Sequence, residues 1–396
     1  KMPKIKSEIL LWARKNSLLS KEVAARKLNI NDSKRMSAVE KLTALESGEK
    51  ELSRSLLLRM SRQYHLPLLT FYLDKPPNIG DRGEDFRTLP VDFEETENIN
   101  VDILIRDIKA RQSIVRDTII DADEAKHLEF IGKHKIEDGV IRVVQTIRKF
   151  LNFNINAYRI QANYKEAFRF LRQKVESQGV FVLLKGNPGS YHSNIPVTVF
   201  RGFVLSDDIA PFIVINDQDS ESAWSFTLIH EMTHLILGQT GVSGAYFDNE
   251  IEKFCNNVAS EFFLPTVEFE KFDISNYDLE HLKTEISNYA FLQKLSSTHI
   301  TYRLFKRGDI DKSLWNSLRE FYYKKWLANR KTSQYKNKHK DGGPNYYTIQ
   351  KYKLGTLVGL VQRLTFAGAL TTTKAGMLLD IKPLKVHRLF QPGQLA

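Results

Sequence analysis

The sequence predicts a mainly α-helical protein with one small β-sheet, an α+β fold. Apolar residues recur at helical spacing over most of the chain. Three short β-branched and aromatic runs, "VFVLLKG", "VFRGFVLSD" and "PFIVIND", break that pattern from residue 180 onward. With 396 residues, 42% of them hydrophobic and 27% charged, the chain has the composition of a globular protein with room for two to four compact units.

Residues 1–77 read as a helical bundle. "SEILLWARKN" places Ile9, Leu10, Trp12 and Ala13 at helical spacing. Ser20 opens a second helix and Ser37 a third, which Gly48 closes. "SRSLLLRMSRQYHLPLLTFYLDKPP" adds two more before Pro76 and Pro77 stop the run. Helix, short turn, helix is a helix-turn-helix layout. Residues 78–177 hold a linker, "NIGDRGEDFRTLP", and a helical segment. Residues 178–270 contain the three strands, a helix opening at Asp219 or Ser220, and a second helix, "EIEKFCNNVASEFFL", ending before Pro265. Residues 271–396 are helical and basic, with "NRKTSQYKNKHKDGGPNYYT" expected as a polar surface loop.

Charge is unevenly spread. Residues 1–75 hold 16 Lys+Arg against 8 Asp+Glu, residues 281–396 hold 21 against 6, and the stretch between is net −12. Basic ends suit nucleic acid or an acidic partner, or are simply solvated. No apolar run approaches the ~18 residues of a membrane span. The first residues, basic and without an apolar core, do not read as a secretory signal. One cysteine, Cys255, cannot form an internal disulfide and fits the cytoplasm.

Within "SAWSFTLIHEMTHLILGQTG", His230 and His234 stand four residues apart, with Glu231 after the first. On a helix, positions i and i+4 share a face, so both imidazoles can address one metal ion. Neutral imidazoles hold zinc without quenching its charge, and the glutamate is placed to take a proton from a bound water. The uncharged flanks bury this helix, and burying His, Glu and His without a metal is costly. A catalytic zinc needs a third protein ligand. The longer H-E-x-x-H-x-x-G-x-x-H pattern is absent, since Leu237 and Thr240 occupy its last two positions. The next helix offers Glu250, Glu252 and Glu261. Glu252 is preferred, with Asn256 one turn on as an amide that could orient a ligand.

These two stretches, "FTLIHEMTHLIL" and "IEKFCNNVASEFFLP", resemble the ImmA/IrrE family of zinc metallopeptidases. The second helix matches at Glu252, Asn256, Ala259 and Leu264-Pro265, with Cys255 where alanine is usual and Val258 where phenylalanine is usual. The strands and "DFRTLP" fit the same family, and the first segment is similar to the Xre-type helix-turn-helix fused to many of its members. The resemblance covers most of residues 8–310. It implies a zincin-like core at 178–270, a thermolysin-like zinc site with a glutamate ligand, and a cytoplasmic protease that cuts a transcriptional repressor after stress.

The candidate recognition helix, Ser37 to Ser47, carries Glu40 and Glu46, which repel phosphate. Lys34, Arg35 and Lys41 are its candidate nucleic-acid contacts; docking of a protein or a dimer partner is the competing use. Tyr191, His192 and Tyr246 are candidate oxyanion donors, each also readable as structural. Expected partners are a protein substrate with a basic segment, DNA through either basic end, and a second copy of the chain as a homodimer. The alternative function is a DNA-binding regulator or antitoxin-like protein whose metal site is idle or structural.

Overall fold

The computed structural model describes residues 6–17, 19–33, 36–64, 71, 95–189, 193–197, 199–238, 241–242, 249–274, 278–338 and 345–391. Lys34, Arg35, the linker at 78–90, Tyr191, His192 and Tyr246 lie outside the described residues. The chain divides into two compact units, Lys1–Gly80 and Asp81–Ala396.

The first unit contains α1 (Ser7–Asn16), α2 (Lys21–Lys27), α3 (Ala38–Glu46) and α4 (Arg54–Gln63). Ile9, Ala13, Ala24, Leu28, Leu42, Leu57 and Met60 meet in its core. Ser20 caps α2 by accepting from Val23 N. Ser37 and Glu40 form a capping box at α3, satisfying amides that would otherwise lack partners. Asp32 Oδ1 accepts from Ala38 N at 2.6 Å, so carboxylates already occupy the end of α3 where a phosphate would sit. Lys41 Nζ donates to the Asn31 carbonyl at 2.5 Å, within its own unit.

The second unit begins with α5 (Glu95–Asp121), α6 (Val140–Phe150), α7 (Ile155–Arg159) and α8 (Tyr164–Glu176). Strands β1 (Phe181–Leu184), β2 (Gly202–Leu205) and β3 (Phe212–Ile215) follow, then α9 (Glu221–Ile236), β4 (Gly241–Val242), α10 (Asn249–Phe263) and α11 (Thr266–Phe269). The remainder is α12 (Leu279–Gln293), α13 (Ser297–Arg307), α14 (Lys312–Lys338), α15 (Tyr346–Leu354), α16 (Leu357–Phe366), α17 (Thr372–Leu378) and α18 (Val386–Phe390). The sheet order is β1-β3-β2-β4. β1 runs parallel to β3, while β2 is antiparallel to both β3 and β4.

Every residue of β1, β2 and β3 is buried, because helices cover both faces of the sheet. Alternation sorts the side chains. Val182, Leu184, Val204, Ile213 and Ile215 join the core built from α6, α8, α9, α10, α12 and α13. Phe181, Leu183, Phe203, Leu205, Phe212 and Val214 join the opposite core, built from α5 and α15 to α18. Segments far apart in sequence therefore share each core.

One expectation is corrected. The stretch expected as a loop from residue 329 is helical as far as Lys338, the end of α14. Lys, Arg and Gln are good helix formers, so a polar run signals solvent exposure and not the absence of a helix. Among the described residues no helix is long and apolar enough to cross a membrane.

Candidate metal centre

Helix α9 is buried on all sides from Ala223 to Ile236. Ser220 caps its start, accepting from Ser222 N. Its last carbonyls are held by a neighbouring turn: Gly132 N donates to Leu235 O and His134 N to Ile236 O. Here two glycines meet. A Cβ on Gly238 (φ +70) would lie 2.9 Å from Gly132 Cα, so neither a side chain nor an ordinary φ fits. His134 is itself fixed by Asp138 at Nδ1 (2.9 Å) and Thr146 at Nε2 (3.0 Å).

Helix α10 packs along α9 and is anchored at its far end by arginines from three other helices. Arg148 donates to Phe262 O at 2.6 Å, Arg159 to Phe263 O at 2.8 Å, and Arg303 to Leu264 O at 3.2 Å. Cations on the last carbonyls satisfy groups that have no partner within the helix and oppose its dipole. Burial lowers the pKa of both Arg148 and Arg303 from the ordinary arginine value. No sequence pattern near α10 announces this anchor, because its members come from α6, α7 and α13.

So held, α9 and α10 bring three side chains together. His230 Nε2 and His234 Nε2 are 3.2 Å apart. Glu252 places Oε2 3.5 Å from His230 Nε2 and Oε1 3.4 Å from His234 Nε2. All three are buried, His230 completely. A tetrahedral zinc with bonds of about 2.0–2.1 Å to nitrogen or oxygen sets neighbouring ligand atoms about 3.3–3.4 Å apart. The separations between the two ring nitrogens and between each of them and its nearer carboxylate oxygen, 3.2–3.5 Å, are of that size, and two imidazoles and a carboxylate are ordinary zinc ligands. The residues present fit the ion.

Glu231, 1% exposed, follows His230 on α9 and lies against β2. A Cβ at Gly202 would fall 2.8 Å from Glu231 Oε1 and 2.6 Å from Thr227 Cγ2. Glycine at 202 thus lets the strand pass the carboxylate, a role visible only in three dimensions. Asn256 Oδ1 is buried and accepts no hydrogen bond among the described residues. Glu261 turns away and accepts from Thr266 N and Thr266 Oγ1, capping α11. Glu250 is exposed.

Cys255 also enters the neighbourhood. Its Sγ lies 3.7 Å from His234 Nδ1, and ligand-type atoms of His230, His234 and Cys255 fall within 4.8 Å of one another. The sulfur therefore approaches the edge of the His234 ring opposite the one that faces His230 and Glu252.

Neither curated proteins nor solved structures give a match to the chain. Residues 177–292, which run from the end of α8 into α12 and include His230, Glu231, His234 and Glu252, match the family model for peptidase M78, the IrrE N-terminal-like domain.

Proposed function

We propose that this protein is a zinc-dependent endopeptidase of the ImmA/IrrE type that cuts a partner regulatory protein, such as a transcriptional repressor, in response to stress. The observation that carries the reading is the convergence of His230 Nε2, His234 Nε2 and the Glu252 carboxylate within 3.2–3.5 Å on the buried helix α9 and the buried face of α10. His230, His234 and Glu252 would hold the ion. A zinc so held supplies a Lewis acid and brings the pKa of its water to about 7. Glu231 takes a proton from the attacking water on its carboxylate and passes it to the leaving amine. The peptidase-family match over 177–292 supports the same chemistry. The net −12 charge of residues 76–280 favours a substrate with a basic segment, and the cytoplasm is the expected compartment.

The test is a comparison of newly formed protein N-termini in cells carrying the wild type or Glu231→Gln, before and after stress. Termini that require Glu231, concentrated in a DNA-binding protein, are the expected result. Identical N-termini in the two strains, both before and after stress, would remove the peptidase reading.

A second reading, a DNA-binding regulator, draws on one surface feature. In α17, in the helical run 383–390 and in the turn between them, where Asp380 has φ +53, the side chains of Lys374, Lys382, Lys385 and Arg388 are exposed. Two short helices with basic exposed residues are a DNA-binding layout. Duplex binding measured at two salt concentrations tests it. Lys382→Ala with Arg388→Ala should lower the salt slope by about one unit for each phosphate left without its cation; binding that is weak and unaltered by those changes leaves the peptidase alone.

A further inference from the structure

Helix α10 touches the His234 ring twice. One turn apart on its buried face stand Glu252, whose Oε1 lies 3.4 Å from Nε2, and Cys255, whose Sγ lies 3.7 Å from Nδ1. Cys255 is fully buried. An imidazole that gives one nitrogen to a metal carries its proton on the other, and that N–H needs an acceptor to fix the ring's tautomer and rotation. Sulfur is a weak but sufficient acceptor, and its larger radius makes 3.7 Å a contact distance.

We propose that Cys255 is a positioning residue: its sulfur accepts the Nδ1–H of His234 and so holds Nε2 towards His230 and Glu252. The inference rests on the metallopeptidase reading. The resembled pattern has alanine at this position, which can accept nothing, so the contact is a feature of this chain. The closeness of Cys255 to both histidines also invites a different role, as a fourth protein ligand. Ring geometry opposes that. One imidazole cannot give both nitrogens to the same ion, and the sulfur faces Nδ1 while the triangle of ligand atoms forms at Nε2.

The experiment uses the full chain and zinc alone. Zinc affinity is measured by competition with a chromophoric chelator for the wild type, Cys255→Ala, Cys255→Ser and His230→Ala, and absorption spectra are recorded after loading with cobalt. Removing an outer partner of a ligating histidine weakens metal binding about 10–100-fold. Cys255→Ala should show a loss of that size, and Cys255→Ser, which restores an acceptor, should recover most of it. The cobalt spectrum should lack a thiolate-to-cobalt charge-transfer band. Zinc affinity unchanged in a folded Cys255→Ala overturns the inference and leaves the peptidase reading standing. A charge-transfer band that Cys255→Ala abolishes also overturns it, by making the sulfur a ligand. A wild type that takes up no more zinc than His230→Ala overturns both.

Discussion

The two units each bury a charged cluster, and the clusters are built on opposite plans. In the first unit Arg14 meets Glu46 as a fork, Nε to Oε1 at 2.6 Å and one terminal nitrogen to Oε2 at 3.1 Å, while the other terminal nitrogen donates to the Leu19 carbonyl at 2.9 Å. Donors and acceptors match, so the pair closes on itself. In the second unit two imidazole nitrogens and a carboxylate point at one another. Each of these groups is also an ordinary ligand for a metal ion. Three lone-pair donors aimed at one point describe a place for a cation. A buried ion pair of arginine and glutamate serves the fold, whereas buried metal-ligand groups gathered at one point suit chemistry.

The largest expected effect removes the convergence itself. His230→Ala should lose zinc and all proteolysis, while Glu231→Gln should keep zinc, read by metal analysis, and lose about 10²–10⁴-fold in cleavage rate. Next, Arg14→Met should destabilise the first unit by about 3–5 kcal/mol, read by hydrogen exchange of α1 and α3 amides, because Glu46 is left buried and alone. Arg14→Met with Glu46→Leu should recover most of that loss. The matching change in the other cluster, His230→Leu with Glu252→Leu, should leave the metal-free chain about as stable as before yet unable to bind zinc. If that pair of double variants behaved alike in every assay, the contrast between the clusters would collapse. A smaller effect is expected of Gly202→Ala, about 1–3 kcal/mol from the clash with Thr227 and Glu231. Its signature is a fall in cleavage with zinc content intact, since β2 presses on the base and not on the ligands.

The smallest effect concerns pH. The backbone N–H of Lys135, and then His134, hold the Asp138 carboxyl below the usual aspartate value. A depressed carboxylate pKa contributes stability that is present above the unfolded pKa of about 3.9 and is lost as pH falls through the folded value. Asp138→Asn should lower stability by a small amount at neutral pH, and the gap to the wild type should close as pH falls below about 4. An equal acid loss in wild type and variant would assign the effect to other carboxylates.

Much of the site is legible from spacing. Two histidines at i and i+4 need only the helical period, while the phase of the next helix says only that Glu252 and Glu261 cannot both face the same point, and Glu252 is a preference among three glutamates. Cys255 reads in the sequence as a core residue, because its contact with His234 depends on the angle at which α10 crosses α9. Gly202 and the arginines at the end of α10 give no local sign for the same reason: each acts across a distance set by the fold. The three runs expected as strands are β1, β2 and β3, whereas β4 consists of Gly241 and Val242, too short to leave a pattern. Apolar residues likewise recur along α5 and α15 to α18 without naming the partner they pack on. An apolar stripe states that a face will be covered, and tertiary structure decides by what.

That partner gives the molecule a timetable. Residues 345–390 and α5 cover the sheet face opposite His230, His234 and Glu252, while Lys353 reaches Asp217, in the loop that leads into α9, at 2.6 Å. A ribosome releases α9 and α10 well before it releases this cover. Until then the strand that flanks Glu231 has one bare apolar side, and the scaffold beneath the ligands is incomplete. The sheet that backs α9 is thereby completed only once residues 345–390 have emerged, and a chain cut before α15 leaves that face uncovered.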